Sequence, residues 1–298
     1  MLVSSDGKKI YLATWDKANE PKGVVVLIHG MCEYSERYSH FCQYLNQNGY
    51  TVLGIDLRGH GKTDPKNLGK TDLDFWDKTK TDITLLIEYA IELYNLPVLL
   101  YGHGLGALLL GDLLIDNRLR GIAGVAFSGT TSLDDHKFWL GRVLSFFKTI
   151  GDGGTREGKA FLRLFRYYDS RFMEGTNGWL TRNVIESGKY NTDPMSGFVC
   201  DYNFYRSVLV GIGYAQGRIP NKHRVIDPPP VHIFSGGCDH FGRRGKGVRQ
   251  LVKLYRKFGI DTALTIYDRA RHSLMFELNR LEIMGGVVGF FDKTITRE

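Results

Sequence analysis

Strand-like and helix-like segments alternate through most of this chain of 298 residues. Residues 23–30, GVVVLIHG, form a continuous apolar run, which is typical of a strand that is covered on both faces. Loops and apolar residues at helical intervals follow such runs, for example over residues 36–47 and 105–115. Parallel strands need crossover connections of this kind. The sequence therefore predicts an α/β fold with a mostly parallel central sheet flanked by helices.

The alternation breaks down between Thr131 and about Asp227, where aromatic and basic residues dominate, and it then resumes. We therefore expect residues 1–131 and 227–298 to form the core. Residues 132–226 are expected to form a mainly helical cap, or lid, inserted between the sixth and seventh core strands. The aromatic residues of this cap are predicted to be either helix core or acyl-chain contacts; examples are Phe138, Trp139, Phe146 and Phe147.

Individual elements can also be predicted from the apolar spacing. Helices are expected over residues 36–47, 72–94, 105–115 and 247–258, with a closing helix from Leu274. Strands are expected over residues 98–101, 231–235 and 262–267.

The composition favours a globular protein with a full core and argues against a nucleic-acid-binding protein. With 43% hydrophobic residues the chain can bury a full core. The net charge of +7 is spread along the sequence. Its densest basic cluster, GRRGKGVRQ over residues 242–250, is short and is predicted to be a solvated loop and helix start. No nucleic-acid partner is expected.

Cysteine spacing and segment lengths give further expectations. The four cysteines, Cys32, Cys42, Cys200 and Cys238, lack the spacing of metal ligands or of a small disulfide framework. We expect reduced thiols and no metal site. The first residues contain no apolar signal core, and no later run reaches the length of a membrane-spanning helix. A cytoplasmic location is therefore expected.

Polar groups follow three of the predicted strands, at the edge where parallel sheets gather functional loops. The segment Gly102-His103-Gly104-Leu105-Gly106 follows PVLLY, Asp239 follows VHIFS in GGCDHFG, and His272 follows LTIYD in RARHSLMFE. This chain order of strand-to-helix turn, acid and histidine matches that of hydrolases whose nucleophile sits on a sharp turn. Their turn has the pattern Gly-x-Ser-x-Gly, and here Gly104 occupies the serine position.

The glycines have a steric explanation. The tight turn brings strand and helix backbones together, so Gly102 and Gly106 are expected to lie where no β-carbon fits. The central residue of such a turn is strained, which costs a residue with a β-carbon about 1–3 kcal/mol and glycine almost nothing. Gly104 therefore suits the turn, but it supplies no oxygen to attack an acyl carbon.

Several motifs together resemble the serine aminopeptidase-like branch of the α/β-hydrolases, specifically bacterial lysophospholipases and monoacylglycerol lipases. They are HGMCEYSERY, DLRGHGKTD, YGHGLG, GWLTRN, NTDPMSGFVCDYNFY, GRRGKGV and ARHSLMFELNR. The resemblance covers nearly the whole chain. Two positions depart from it, because His240 stands where proline is usual and Ser273 where an acidic residue is common.

The resemblance implies roles for individual residues. Gly104 would occupy the nucleophile position, Asp239 would be the orienting acid and His272 the general base. The backbone N–H groups of Met31 and Leu105 would form the oxyanion hole. His60 would be structural. Cys32 and Cys238 lie close to this site in sequence and are expected to line it.

The resemblance also implies a substrate class. A lipid monoester would be the substrate, no cofactor would be needed, and the cap would provide peripheral membrane contact. A transferase or an amidase would use much the same residues.

Three hypotheses follow from this pattern. The chain is an inactivated form of a serine ester hydrolase, or it is a natural non-catalytic relative that binds a lipid or another small ligand. The third hypothesis is dinucleotide binding, because GHGLGA fits the loose G-x-G-x-x-G/A fingerprint. It is the weakest of the three, since the next strand ends in Ser128 and Gly129 without the acidic residue that binds a ribose.

Overall fold

A mostly parallel sheet forms the centre of the molecule in the computed structural model, which describes residues 1–16, 20–132, 149, 154–159, 177–215 and 225–296. Two short strands, β1 (Leu2–Val3) and β2 (Lys9–Ile10), form a separate antiparallel pair. The main sheet contains β3 (Leu12–Trp15), β4 (Gly23–Ile28), β5 (Tyr50–Ile55), β6 (Val98–His103), β7 (Gly124–Ser128), β8 (Val231–Gly236) and β9 (Thr262–Tyr267).

The strand order in the main sheet is β3-β5-β4-β6-β7-β8-β9. Among the described strands of this sheet, β3 alone is antiparallel to its neighbour, and every other pair is parallel. The predicted α/β fold class is therefore confirmed. The register pairs Ile28 with Gly102 and His103 with Ser128, so the carboxyl ends of β4, β6 and β7 lie side by side.

Helices cover both faces of this sheet, and two further described helices lie in the segment between β7 and β8. The helices on the faces are α1 (Ser39–Gln47), α2 (Phe75–Tyr94), α3 (Leu105–Ile115), α6 (Lys246–Lys257) and α7 (Arg280–Ile295), and those in the segment between β7 and β8 are α4 (Val184–Thr192) and α5 (Tyr202–Ala215). Short 3-10 helices occupy Ser35–Tyr38 and Leu274–Phe276. The helix predicted over residues 105–115 has those bounds. The closing helix begins at Arg280 rather than at Leu274, because the buried Glu277 adopts an extended backbone at the end of the 3-10 helix.

Two apolar layers explain why the strands are apolar throughout. Val24, Val26 and Ile28 of β4 join a layer with α2, α3 and α6. Val25 and Leu27 of the same strand join the opposite layer, with α1 and α7. Alternate side chains point to opposite faces of a strand, so a strand that is covered on both sides must be hydrophobic at each position.

The inserted segment leaves the core after β7 and returns at β8. These are the fifth and sixth strands of the main sheet, so the predicted place between the sixth and seventh strands is wrong. Leu12–Trp15 is the first described strand of the main sheet, because the two strands before it pair only with each other, so five strands precede the insertion.

Part of the insertion packs directly on the core. Phe204, Val208 and Ile212 of α5 belong to the same apolar layer as α2 and α3. Gly211 allows close approach, because a Cβ atom there would overlap the ring of Trp76. The cap residues Phe138, Trp139, Phe146 and Phe147 lie outside the described residues.

No helix among the described residues is both long enough and apolar enough to span a lipid bilayer. All four cysteines are free thiols.

Candidate active site

The segment from β6 to α3 makes a sharp backbone corner at Gly104. Its φ of 52° and ψ of −111° lie in a region that side chains disfavour. The Gly104 N–H donates to the Ser128 carbonyl at 3.0 Å, and its own carbonyl accepts from Leu108 N–H at 3.1 Å. The corner is therefore held by both the neighbouring strand and the helix that it starts.

The two flanking glycines are required by close backbone contacts, as the sequence predicted. A Cβ atom on Gly102 would lie 2.8 Å from the Ala107 nitrogen, and one on Gly106 would lie 2.3 Å from the Ile28 carbonyl oxygen. Gly104 differs from both. A Cβ atom there would find ordinary contacts, 3.6 Å to His272 Nε2 and 3.7 Å to Gly30 Cα. The corner thus has space for a side chain although its backbone conformation favours glycine.

His272 lies between this corner and Asp239. Its Nδ1 atom is 3.2 Å from Asp239 Oδ2. An ionised carboxylate only accepts, so Nδ1–H donates to it, and Nε2 is the ring nitrogen on the side of the corner. Asp239 is fully buried, and its Oδ1 accepts from Phe241 N–H at 2.8 Å. The structure therefore brings Gly104, Asp239 and His272 together, as the loop comparison predicted.

Among the described residues, three rings surround the imidazole of His272. The Trp179 ring centroid lies 4.9 Å away at an interplanar angle of 37°, and Phe241 meets the imidazole edge-on at 5.5 Å and 83°. The third ring, that of His103, is 4.8 Å away. Sequence reasoning did not assign a role to any of them, because ring contacts between distant segments leave no local pattern.

His103 is a buried neighbour of the site rather than an exposed one. Its Nδ1 pairs with the Ser128 hydroxyl at 2.9 Å, and that hydroxyl also pairs with Tyr101 at 2.7 Å. Burial, helped by the nearby His272, lowers the pKa of His103 to about 4. Gly129 is the residue that makes room, because a Cβ atom there would lie 2.6 Å from the His103 ring and 2.9 Å from the His272 ring.

The loop that carries His272 is tied to the end of the insertion. Ser273 N–H donates to the Leu180 carbonyl at 2.7 Å, and Arg271 donates to the Gly178 carbonyl at 2.7 Å. Glu277 joins the same segments, since it accepts from Arg271 N–H at 2.8 Å and from Arg182 Nε at 2.8 Å. The only sequence signal for this contact was that GWLTRN and ARHSLMFELNR both matched one family pattern.

Met31 and Leu105 flank the corner from two sides. Leu105 is the first residue of α3, where N–H groups have no intrahelical acceptor. Met31 follows Gly30, whose Cα borders the corner. The turn before Met31 is held by Glu33, which accepts from Gly30 N–H at 2.6 Å and from the Tyr38 hydroxyl at 2.7 Å. Sequence reasoning missed this role of Glu33, although the residue lies within the quoted HGMCEYSERY motif.

The family assignment rests on the length of chain that matches. Residues 19–279 match the family model described as Serine aminopeptidase, S33. The chain belongs to this hydrolase family. Its fold is that of the α/β-hydrolases, and the resemblance inferred from the motifs is confirmed.

Curated relatives in this family include lipases. The human monoglyceride lipase is 27% identical over 284 residues, which are 93% of this chain and 84% of that protein. A monoacylglycerol lipase of Mycolicibacterium smegmatis is 34% identical over 34% of this chain, and a phospholipase of Bacillus subtilis is 31% identical over 39% of it. The matched segments span 35% and 42% of those two relatives, less than half of their length.

Solved structures show the same fold. A structure described as an open form of a lipase superposes with a TM-score of 0.87 at 22% identity, covering 99% of this chain and 97% of that one. The monoglyceride lipase of Saccharomyces cerevisiae, solved with a substrate analogue, superposes with a TM-score of 0.76 at 18% identity, covering 99% and 96%. Membership of the hydrolase family gives the glycine-rich turn an explanation other than dinucleotide binding.

The other residues singled out from the sequence lie around this hydrolase site. His60 is buried; its Nε2 accepts from Cys32 N–H at 3.1 Å and its Nδ1–H donates to the Arg58 carbonyl at 2.8 Å. Both ring nitrogens are thus used by the backbone, as expected for a structural histidine. Cys238 lies next to Asp239 and is partly exposed. The predicted basic loop and helix start is confirmed, since residues 242–245 form a turn before α6.

Proposed function

We propose that this protein has the site of a carboxylic ester hydrolase of the monoacylglycerol lipase or lysophospholipase type, in a form without its nucleophile. The single observation that carries the proposal is the placement of His272, whose Nδ1 lies 3.2 Å from Asp239 while Nε2 lies 3.6 Å from the Cβ position of residue 104. A proton acceptor aimed at an empty side-chain position is what remains when a serine is replaced by glycine.

The residues have definite roles in the form that carries serine at position 104. The serine hydroxyl attacks the ester carbonyl while His272 Nε2 takes its proton, and Asp239 holds the resulting imidazolium. The N–H groups of Met31 and Leu105 bind the oxyanion of the tetrahedral intermediate. His272 then protonates the leaving alcohol. Water, deprotonated by His272, releases the acid from the acyl-enzyme.

Gly104 stops this sequence at its first step, because no oxygen is available to form the acyl-enzyme. The chain as it stands is therefore inactive or nearly so. Slow hydrolysis by a water at His272 would be the remaining route, since oxyanion stabilisation and binding alone retain roughly a thousandfold acceleration over water.

The names of the relatives and the position of the insertion support the proposed substrate class. The curated relatives are named for monoacylglycerol and phospholipid hydrolysis. We assign residues 132–226 to a cap over an acyl-binding cleft, with peripheral membrane contact through that cap and a cytoplasmic location. Residues 1–131 and 227–298 form the hydrolase core in this proposal.

The test is the Gly104→Ser variant, assayed on a monoacylglycerol, a lysophospholipid and short nitrophenyl esters. We expect kcat/KM to rise by about a thousandfold or more over the Gly104 protein on at least one ester. Gly104→Ala is the matched control, since it adds the Cβ atom without the oxygen and should stay inactive. The double variant Gly104→Ser, His272→Ala should lose the gain in kcat/KM. Failure of Gly104→Ser on every ester contradicts the proposal.

A second candidate function is binding without catalysis, and the observation that favours it is the backbone of Gly104. At φ 52° glycine is the residue with least strain, so the corner suits the residue that is present. Tight lipid binding by the chain as it stands, together with no ester hydrolysis by Gly104→Ser, would favour this natural lipid-binding role.

A further inference from the structure

Two buried thiols meet where the insertion packs on the core. The Sγ atoms of Cys32 and Cys200 lie 3.6 Å apart, although the residues are 168 positions apart in the chain. Cys32 follows Met31 in the loop after β4, and Cys200 precedes α5 in the insertion. Cys32 is 7% exposed and Cys200 is fully buried.

Backbone hydrogen bonds hold both cysteines in place. The Cys32 carbonyl accepts from Gly197 N–H at 2.9 Å and from the Tyr190 hydroxyl at 3.2 Å. On the other side, the Cys200 carbonyl accepts from Gly158 N–H at 2.8 Å, and Cys200 Cα lies 2.9 Å from the Cβ position of Gly69. The segments that carry the two thiols are therefore docked before any bond joins them.

The remaining distance is small. A disulfide needs its sulfurs about 2.05 Å apart, so the two atoms, now 3.6 Å apart, must approach by roughly 1.5 Å. Cys32 has a φ of 56°, a conformation that usually belongs to glycine. A thiol at this strained position, directly opposite a second thiol, is a specific arrangement rather than a typical core residue.

We propose that hydrogen peroxide oxidises the Cys32 and Cys200 thiols to a disulfide, which covalently joins the insertion to the loop beside Met31. The Cys32 thiolate attacks one peroxide oxygen, which breaks the O–O bond and gives a sulfenic acid and water. The Cys200 sulfur then attacks the Cys32 sulfur, and the hydroxyl leaves as a second water. Two thiols are oxidised, and one peroxide is reduced to two waters.

Burial sets the rate of this reaction. It raises the pKa of the Cys200 thiol well above its usual value, because a buried thiolate loses its hydration. The thiolate is the reactive form, so disulfide formation is slow near neutral pH and faster in alkaline solution. Cys32, the more exposed partner, reacts first.

The test treats the full chain with hydrogen peroxide and measures thiols after unfolding. We expect the thiols of Cys32 and Cys200 to be lost together, the cross-linked peptides to contain these two residues, and a thiol reductant to restore both. Cys32→Gly is the first variant, since glycine tolerates the positive φ, and Cys200→Ser is the second. Both should form no cross-link.

Cys42→Ser is the matched control, because Cys42 is a buried thiol in the apolar layer on the opposite face of the sheet. It should still form the Cys32–Cys200 link. Three outcomes overturn the proposal: both thiols persist at alkaline pH, a different pair is linked, or Cys32 proceeds to a sulfinic acid without a linked peptide. The readout is covalent, so it does not depend on whether the protein hydrolyses esters.

Discussion

The Nε2 atom of His272 lies 3.6 Å from the point where a Cβ atom on Gly104 would stand. That distance is an ordinary van der Waals contact, so the site accepts a small side chain at position 104 without moving the histidine. The backbone corner, by contrast, favours glycine. Space and backbone conformation therefore act in opposite directions at this residue, and their effects can be measured separately.

Gly104→Ala should lower the free energy of unfolding by about 1–3 kcal/mol, since only backbone strain opposes the added methyl group. Urea unfolding gives this value. Gly121→Ala is the control, because Gly121 also has a positive φ, 75°, with open space around its Cβ position. The two losses should be similar. A much larger loss at Gly104 would mean that the space beside His272 is not available.

Gly106→Ala should lower the free energy of unfolding far more than Gly104→Ala does. Its Cβ atom would lie 2.3 Å from the Ile28 carbonyl oxygen, so strand and helix must separate, at a cost of about 3 kcal/mol or more. Gly188→Ala is the control, since Gly188 lies in α4 with nothing near its Cβ position. That change should be neutral or stabilising by up to about 1 kcal/mol. Equal effects in thermal unfolding would contradict the close contact at Gly106.

Glu277→Gln should loosen the loop that carries His272, because a neutral amide cannot serve both Arg271 N–H and Arg182 as well as the carboxylate does. We expect a loss of about 1–3 kcal/mol in the free energy of unfolding. In the Gly104→Ser background kcat should fall more than KM changes. Glu157→Gln removes an exposed carboxylate that pairs with Lys159, and it should change neither quantity measurably. An unchanged kcat in the Glu277→Gln variant would contradict a role of Glu277 in positioning His272.

Protein stability should fall in acid partly because of His103. Burial, helped by His272, lowers the pKa of His103 from 6.5 to about 4, so between these values the unfolded chain binds a proton that the folded protein excludes. The contribution of neutral His103 to the free energy of unfolding is complete above about pH 6.5 and is lost as the pH falls towards 4. The lowered pKa of His103 corresponds to a loss of about 3 kcal/mol.

The measurement is the free energy of unfolding in urea from pH 7 down to pH 4. His103→Asn should flatten this profile, because asparagine keeps a polar partner for Ser128 but does not titrate. His60 also has a pKa lowered by burial, to about 3, so part of the slope should remain in the variant. A profile with the same slope in both proteins would show that His103 does not contribute.

Much of the fold could be predicted from local pattern. The apolar runs of β4, β6 and β8 and the spacing in α3 are properties of short segments, and each segment was placed within a few residues. The position of the insertion in strand order was predicted wrongly, because the number of strands in the main sheet depends on pairing between distant segments, such as that of β3 with β5. The start of α7 was also wrong, because Glu277 is held out of the helix by Arg182 and Arg271.

The order of turn, acid and histidine was predictable from the amino-acid order, as were the glycines that the turn needs, because strand ends and close backbone contacts require particular residue types. The rings of Trp179, His103 and Phe241 around His272, and the contact between the Cys32 and Cys200 thiols, became evident only in the folded molecule. These contacts join segments that are up to 169 residues apart in the chain. Packing in three dimensions, and not any local spacing, brings them within reach of each other.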